Sequence, residues 1–244
     1  MPVILPNLKK ERLRLAAMKR YLHTNINQDE RLQDIAVLAS KVTNTPVALV
    51  TLMDKDVQWI TSSVGFEIES MPRKTSFCTH TIEQEKVMVV KDSKLDARFK
   101  KNPIVLATPS ARFYAGMPLK SHDGLNIGTL CVLDVKPRGL TRKQSFCLEA
   151  LAKQAITLME HRLNIELLRE GIEQIELKNT TLKKIAQFQS HEFRGPLTTV
   201  IGLMNLIKDE GYAFNKDYML MMETAIQKLD EKICSVVGMA MKEN

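Results

Sequence analysis

In the stretch DERLQDIAVLASKVT (29–43), Leu32, Ile35, Ala36, Leu38, Ala39 and Val42 fall on one stripe at helical spacing. Asp29 stands where a capping residue belongs, and Pro46 ends the run. The pattern then changes. VALVTLMD (47–54) is an almost unbroken apolar run, the mark of a buried strand. VQWITSSVG (57–65) alternates as its partner, with Asp54-Lys55-Asp56 as the turn. TSFCTHTIEQ (75–84) predicts a short helix opened by Thr75 or Ser76, and VMVV (87–90) a short strand. Residues 92–110 are irregular, broken by Pro103 and Pro109. RFYAGMPLKS (112–121) and LNIGTLCVLD (125–134) are two more strands, joined by His122-Asp123-Gly124. Short turns between strands predict an antiparallel sheet flanked by helices, an α+β domain.

Beyond Pro137 the texture is helical. From Thr141 to about Glu210 the only proline is Pro196. Leu151, Leu158, Ile165, Ile172, Asn179 and Ala186 repeat every seven residues. Leu168, Ile175 and Leu182 fill the companion position. Such a seam predicts a parallel two-stranded coiled coil, with Asn179 setting the register; the plainer alternative is a helix lying on the sheet domain. About 70 helical residues would span about 105 Å, longer than a small domain is wide, which favours the coil. After a loop at 211–215, Met219, Met222, Ile226, Leu229, Ile233, Val236 and Val237 mark a second amphipathic helix. Helix, short loop and helix make a hairpin, and two hairpins in a homodimer would close a four-helix bundle. The expected organisation is an N-terminal basic helix within 1–27, the α+β domain at 28–150, a coiled-coil helix at 151–184 and the hairpin at 185–244.

Charge narrows the function. The formal net charge is +7, but 28 acidic residues are interspersed among 35 basic ones, which reads as a solvated surface and gives no pointer to nucleic acid. The cluster Lys9, Lys10, Arg12, Arg14, Lys19 and Arg20 reads as the polar face of a helix. No apolar run approaches the ~18 residues of a membrane span. The first residues place apolar positions before charges, between Pro2 and Pro6, unlike a secretory leader. A cytoplasmic protein with reduced thiols is expected. Cys78, Cys131, Cys147 and Cys234 form no Cys-x-x-Cys pair, and no metal site is expected. Cys131 is expected to be buried and inert, leaving Cys78 as the one thiol to watch for redox sensing, a role the sequence reads against.

The candidate chemistry lies in QSHEFRGPLTTVIGL (189–203). Gly195 and Pro196 are poor residues for a helix interior, and a bend there would reorient whatever precedes it. A neutral imidazole at His191 is a competent nucleophile. Glu192 can accept its N–H and hold the tautomer, and Arg194 can offset phosphate charge. These residues resemble the phosphoacceptor box of bacterial sensor histidine kinases. The resemblance implies that His191 takes the phosphoryl group, that Glu192 assists as acid/base, and that a response-regulator receiver domain accepts it. Gly195 stands where family members that also act as phosphatases carry Thr or Asn. The family also needs an ATP-binding domain with glycine-rich loops. None is found in this sequence, so no cofactor is expected here and ATP would come from another domain or protein.

The first 140 residues, on VALVTLMDKDVQWITSSVG, TSFCTHTI, DARFKKNP and RFYAGMPLKSHDGLNIGTLCVLD, resemble a GAF domain. This implies a six-stranded antiparallel sheet with helices on one side and a pocket on the other. Trp59, Phe77, Cys78, His80, Phe113 and Tyr114 are the pocket candidates. The ligand is open. Thr79 separates Cys78 from His80, unlike bilin-attaching relatives, and the cyclic-nucleotide pattern is absent. His80 as a haem ligand competes with a simply packed histidine, and core packing is the ordinary role for the aromatics. Asp92, Asp96 and Arg98 read as a loop-ordering ion-pair set. Two further functions stay open: a GAF-type free methionine sulfoxide reductase, which needs neighbouring thiols, and a non-catalytic dimerisation scaffold.

Overall fold

Within VALVTLM, Ala48, Val50 and Leu52 face one apolar core while Leu49 and Met53 face another. This strand, β1 (Val47–Met53), is covered on both faces, which is why hardly a polar residue interrupts it. In a computed structural model describing residues 8–22, 29–213 and 215–242, with the side chains of 187–191 and 235–242 excepted, β1 lies inside a six-stranded sheet. Its companions are β2 (Val57–Val64), β3 (Ser70–Pro72), β4 (Met88–Val90), β5 (Phe113–Lys120) and β6 (Asn126–Asp134), in the order β3-β2-β1-β6-β5-β4 with every neighbour antiparallel. The expected sheet is present. The three-residue β3 is an addition that carries no readable alternation.

One face is covered by α1 (Leu8–Leu22), α2 (Glu30–Thr43) and the first turns of α5 (Arg142–Asp209). Met18, Tyr21, Leu32, Ala36, Leu148, Ala155 and Met159 join Ala48, Val50 and Leu52 in that core. Asp29 caps α2 as its position suggests, accepting from the Arg31 backbone N–H at 3.0 Å. The other face carries the short helices α3 (Cys78–Thr81) and α4 (Pro103–Leu106) over a second core that includes Phe77, Phe99, Val105 and Tyr114.

Arg14 departs from its sequence reading. It is buried; Nη1 donates to the Met53 carbonyl at 2.6 Å, and Nε and Nη2 grip Glu11. Arg73 donates to the same carboxylate at 2.6 Å. The basic helix thus packs into the sheet domain, with a cation as part of its inner face.

The heptad seam also divides. Leu151 and Leu158 are partly buried against the helix-side core, whereas Ile165, Leu168, Ile172, Ile175 and Leu182 are exposed. The helix-on-sheet alternative describes the first part of α5 and leaves the remainder of the seam open. The chain separates into two compact units, the first reaching Leu168 and the second starting at Arg169.

In the second unit, the end of α5 turns into α6 (Lys216–Lys242) through Gly211 and Tyr212, both with positive φ. The Tyr212 N–H reaches back to the Ile207 carbonyl at 2.8 Å, closing the helix end. Leu203, Ile207 and Ala225 are buried, but Leu197, Ile201, Met204, Met219, Ile226 and Ile233 are exposed. No described helix is long and apolar enough to cross a membrane.

Candidate functional site

The sheet face opposite α1 and α2 holds a cavity of about 170 Å³. Its walls are Val47, Leu49, Phe66, Met71, Phe77, Ile104, Tyr114 and Leu133, with Gln58, Ser76 and Asp134 as the polar members and Cys78 and Cys131 among the lining residues. Alternation decides who faces it. Gln58 pairs with Met53 and lines the cavity, while Trp59 pairs with Leu52, on the helix-bearing face, and is half-exposed. Tyr114 likewise faces the cavity, and its neighbour Phe113 is buried in the helix-side core. Of the six candidates, Phe77, Cys78 and Tyr114 line the cavity and Trp59, His80 and Phe113 do not. His80 packs edge-on against Phe99, with ring centroids 5.1 Å apart.

Phe77 stacks on Tyr114 at 5.0 Å. The Tyr114 ring can lie where it does because Gly116, two residues along the same face, has no side chain. A Cβ there would fall 2.2 Å from the tyrosine hydroxyl. That hydroxyl is 2.6 Å from Thr81 Oγ1 and donates to Cys78 Sγ at 3.5 Å. Thr129 Oγ1 donates to the same sulfur at 3.1 Å and lies 2.9 Å from Thr51 Oγ1. Ser76 Oγ accepts from the Cys78 backbone N–H at 2.9 Å and is itself held by Gln58.

The two cysteines meet. Cys78 Sγ and Cys131 Sγ are 3.7 Å apart, both buried. Burial pushes the Cys78 thiol up, but the Cys131 thiol and the hydroxyls of Thr129, Tyr114 and Ser76 outweigh it and bring it below the ordinary thiol value. The Cys131 thiol is pushed well up by its hydrogen bond to Cys78 and by burial. Sequence reasoning placed Cys131 in a buried strand but missed its neighbour, since 53 residues separate the pair and no local spacing joins them. Asp92 and Asp96 do order the loop between β4 and β5, though through separate partners. Asp96 pairs with Arg98, and Asp92 accepts from Arg112 Nε at 2.7 Å. Among the described residues no cluster of His, Cys, Asp or Glu forms a metal site.

In the second unit, His191 lies on α5 with its side chain outside the described residues. Glu192 is half-buried and ion-paired with Lys232 of α6. Arg194 is exposed. Pro196 lines a shallow groove with Thr199, Met221, Thr224, Ala225, Lys228 and Lys232. Proline has no N–H, so the Glu192 carbonyl one turn earlier lacks its helical partner.

The GAF domain family matches residues 27–158. No phosphoacceptor-domain family is found in the remainder. A cyclic di-GMP phosphodiesterase of Pseudomonas aeruginosa is 33% identical over 207 residues, covering 79% of this chain and 34% of its own length. The chain therefore spans about a third of that relative. Among solved structures, a free methionine-R-sulfoxide reductase from Neisseria meningitidis is 16% identical. It matches 59% of this chain and 91% of its own, at a TM-score of 0.47. A domain of a protein assigned as a two-component sensor histidine kinase from Sinorhizobium meliloti is 12% identical. It matches 59% of this chain and 97% of its own, at a TM-score of 0.45.

Proposed function

This chain belongs to the GAF domain family, and from that premise we propose that it is a dimeric sensory relay of two-component type. The pocket of the sheet domain takes the input, and its walls suit a small, largely apolar ligand. α5 carries the change of state onward, and His191 accepts a phosphoryl group and passes it to an aspartate of a response-regulator receiver domain. ATP is held by a kinase domain other than the residues described. The observation that carries this reading is the continuity of α5. One helix leaves the sheet domain and contains the His191 box, and α6 follows it.

Supporting details lie around the box. Lys232 beside Glu192, with Lys228 on the neighbouring groove and exposed Arg194, supplies the positive charge that an incoming phosphoryl group requires. The Glu192 carboxylate, ion-paired with Lys232 through one oxygen, keeps a second oxygen with which to orient the imidazole. The exposed apolar positions on α5 and α6 are those a four-helix bundle between two copies would cover.

The test is phosphoryl transfer. Purified chain mixed with labelled ATP and a separate histidine-kinase ATP-binding domain acquires acid-labile label, and His191→Gln reduces it to background. Equal labelling of the two proteins would sink the reading.

A second reading is favoured by the phosphodiesterase relative, whose likeness covers more of this chain than the GAF match does. There the sheet domain and α5 would control an enzyme acting on cyclic di-GMP, and His191→Gln would leave the output response intact.

A further inference from the structure

We propose that Cys78 and Cys131 are a redox-active dithiol in the GAF pocket, oxidised to a disulfide by a small organic hydroperoxide that enters the cavity. This deepens the sensory reading of the same pocket by naming its input.

Four observations carry it. The sulfurs are already 3.7 Å apart, and a bond of about 2.05 Å needs a closing movement of under 2 Å. That movement falls on α3, a single turn, while Cys131 is fixed in β6 between β1 and β5. The two cysteines also differ in role. Thr129 and Tyr114 aim hydroxyls at Cys78 Sγ from two strands, an arrangement that stabilises negative charge on that sulfur. Cys78 is thus the attacking thiolate and Cys131 the resolving thiol. Both line the cavity, so an oxidant there meets them without unfolding.

The chemistry balances in two steps. The Cys78 thiolate attacks the distal peroxide oxygen and the O–O bond breaks. The thiolate becomes a sulfenic acid, and the alkoxide leaves as the alcohol after taking up a proton. The Cys131 thiol then attacks the sulfenic sulfur, forming the S–S bond and releasing water. Two thiols lose two electrons, and one hydroperoxide becomes alcohol and water. The apolar walls favour an alkyl hydroperoxide. A zwitterionic amino acid such as free methionine sulfoxide needs charged partners, and among the described residues Asp134 is the sole charged one lining the cavity.

The chain with Cys147→Ser and Cys234→Ser isolates the pair. It is exposed to tert-butyl hydroperoxide, hydrogen peroxide or free methionine sulfoxide, then denatured and alkylated with N-ethylmaleimide. Expected with tert-butyl hydroperoxide is a mass loss of two hydrogens, no alkylation, a Cys78–Cys131 linked peptide, and full reversal by dithiothreitol. Adding Cys131→Ser should stop the reaction at a sulfenic acid on Cys78 that dimedone traps. Thr129→Val, which keeps both thiols, should slow oxidation about tenfold by removing one hydrogen bond to the thiolate. Two alkylated thiols after excess hydroperoxide overturn the proposal, as does unchanged oxidation in Thr129→Val. Faster oxidation by methionine sulfoxide than by the hydroperoxide overturns the oxidant assigned. The readout is on the thiols alone, so His191 labelling can fail while the dithiol stands.

Discussion

Glu11 holds two guanidinium groups at once. Arg14 meets it through Nε and Nη2, Arg73 through Nη1, and both arginines also donate to carbonyls at the end of β1 and the turn that follows. Burial pushes the Glu11 carboxyl up, but the hydrogen bonds and charges of Arg14 and Arg73 prevail and lower it from 4.5 to about 2. A depressed carboxylate contributes stability that is complete above its unfolded value and lost as pH falls through the folded one. The native chain should therefore lose urea resistance between about pH 5 and pH 2 more steeply than Glu11→Gln. At pH 7, Glu11→Gln should be less stable by about 2 kcal/mol, after discounting for partial exposure. Parallel pH profiles for the two proteins would refute the account. The cation cluster was legible along α1, but its use was not. A local charge count shows one acid among many bases, and it cannot show that the acid's second partner lies 62 residues away. The same holds for Cys78 and Cys131. Strand alternation gives each its face, and only the folded sheet gives the pair.

The elements turn on close approach of backbones. A Cβ on Gly128 of β6 would stand 1.9 Å from the Thr51 carbonyl oxygen of β1, and that atom cannot swing aside as a side chain would. Gly128→Ala should part β1 from β6 at the middle of the sheet and cost on the order of 3 kcal/mol or more. It would show as a lower thermal midpoint with loss of near-ultraviolet signal from Tyr114. An unchanged midpoint would mean that the strands yield more easily than their hydrogen bonding implies. What the sequence made visible at this scale were elements long enough to show a period: α2, β1, β2, β5 and β6 all lie where their patterns put them. β3 and α4, of three and four residues, are too short for any period to register. The heptads misled in a different way. Periods of 3.5 and 3.6 residues are nearly the same over three turns, so Leu151 and Leu158 read as coil positions although they pack on the sheet domain.

At the scale of the molecule, the proposed relay turns on the open part of that seam. Leu168, Ile172, Ile175 and Leu182 are 66%, 54%, 61% and 61% exposed. Burying such side chains contributes about 1.5–3 kcal/mol each, so leaving the row in water forgoes a large driving force. A second copy of the same helix supplies a matching row at the same spacing. The double substitution Ile172→Asp with Ile175→Asp should therefore give a monomer by sedimentation while leaving the thermal midpoint of the sheet domain unchanged. Leu158→Asp stands in the same heptad phase but faces the helix-side core. It should lower that midpoint sharply through a buried, unpaired charge. If both variants dissociate a dimer equally and neither disturbs the sheet domain, the seam is continuous through Leu158 and its division between Leu158 and Ile165 is wrong. If the aspartate pair leaves the native mass unaltered, the exposed row is not what joins two chains. The relay would then need another route for bringing His191 to its kinase.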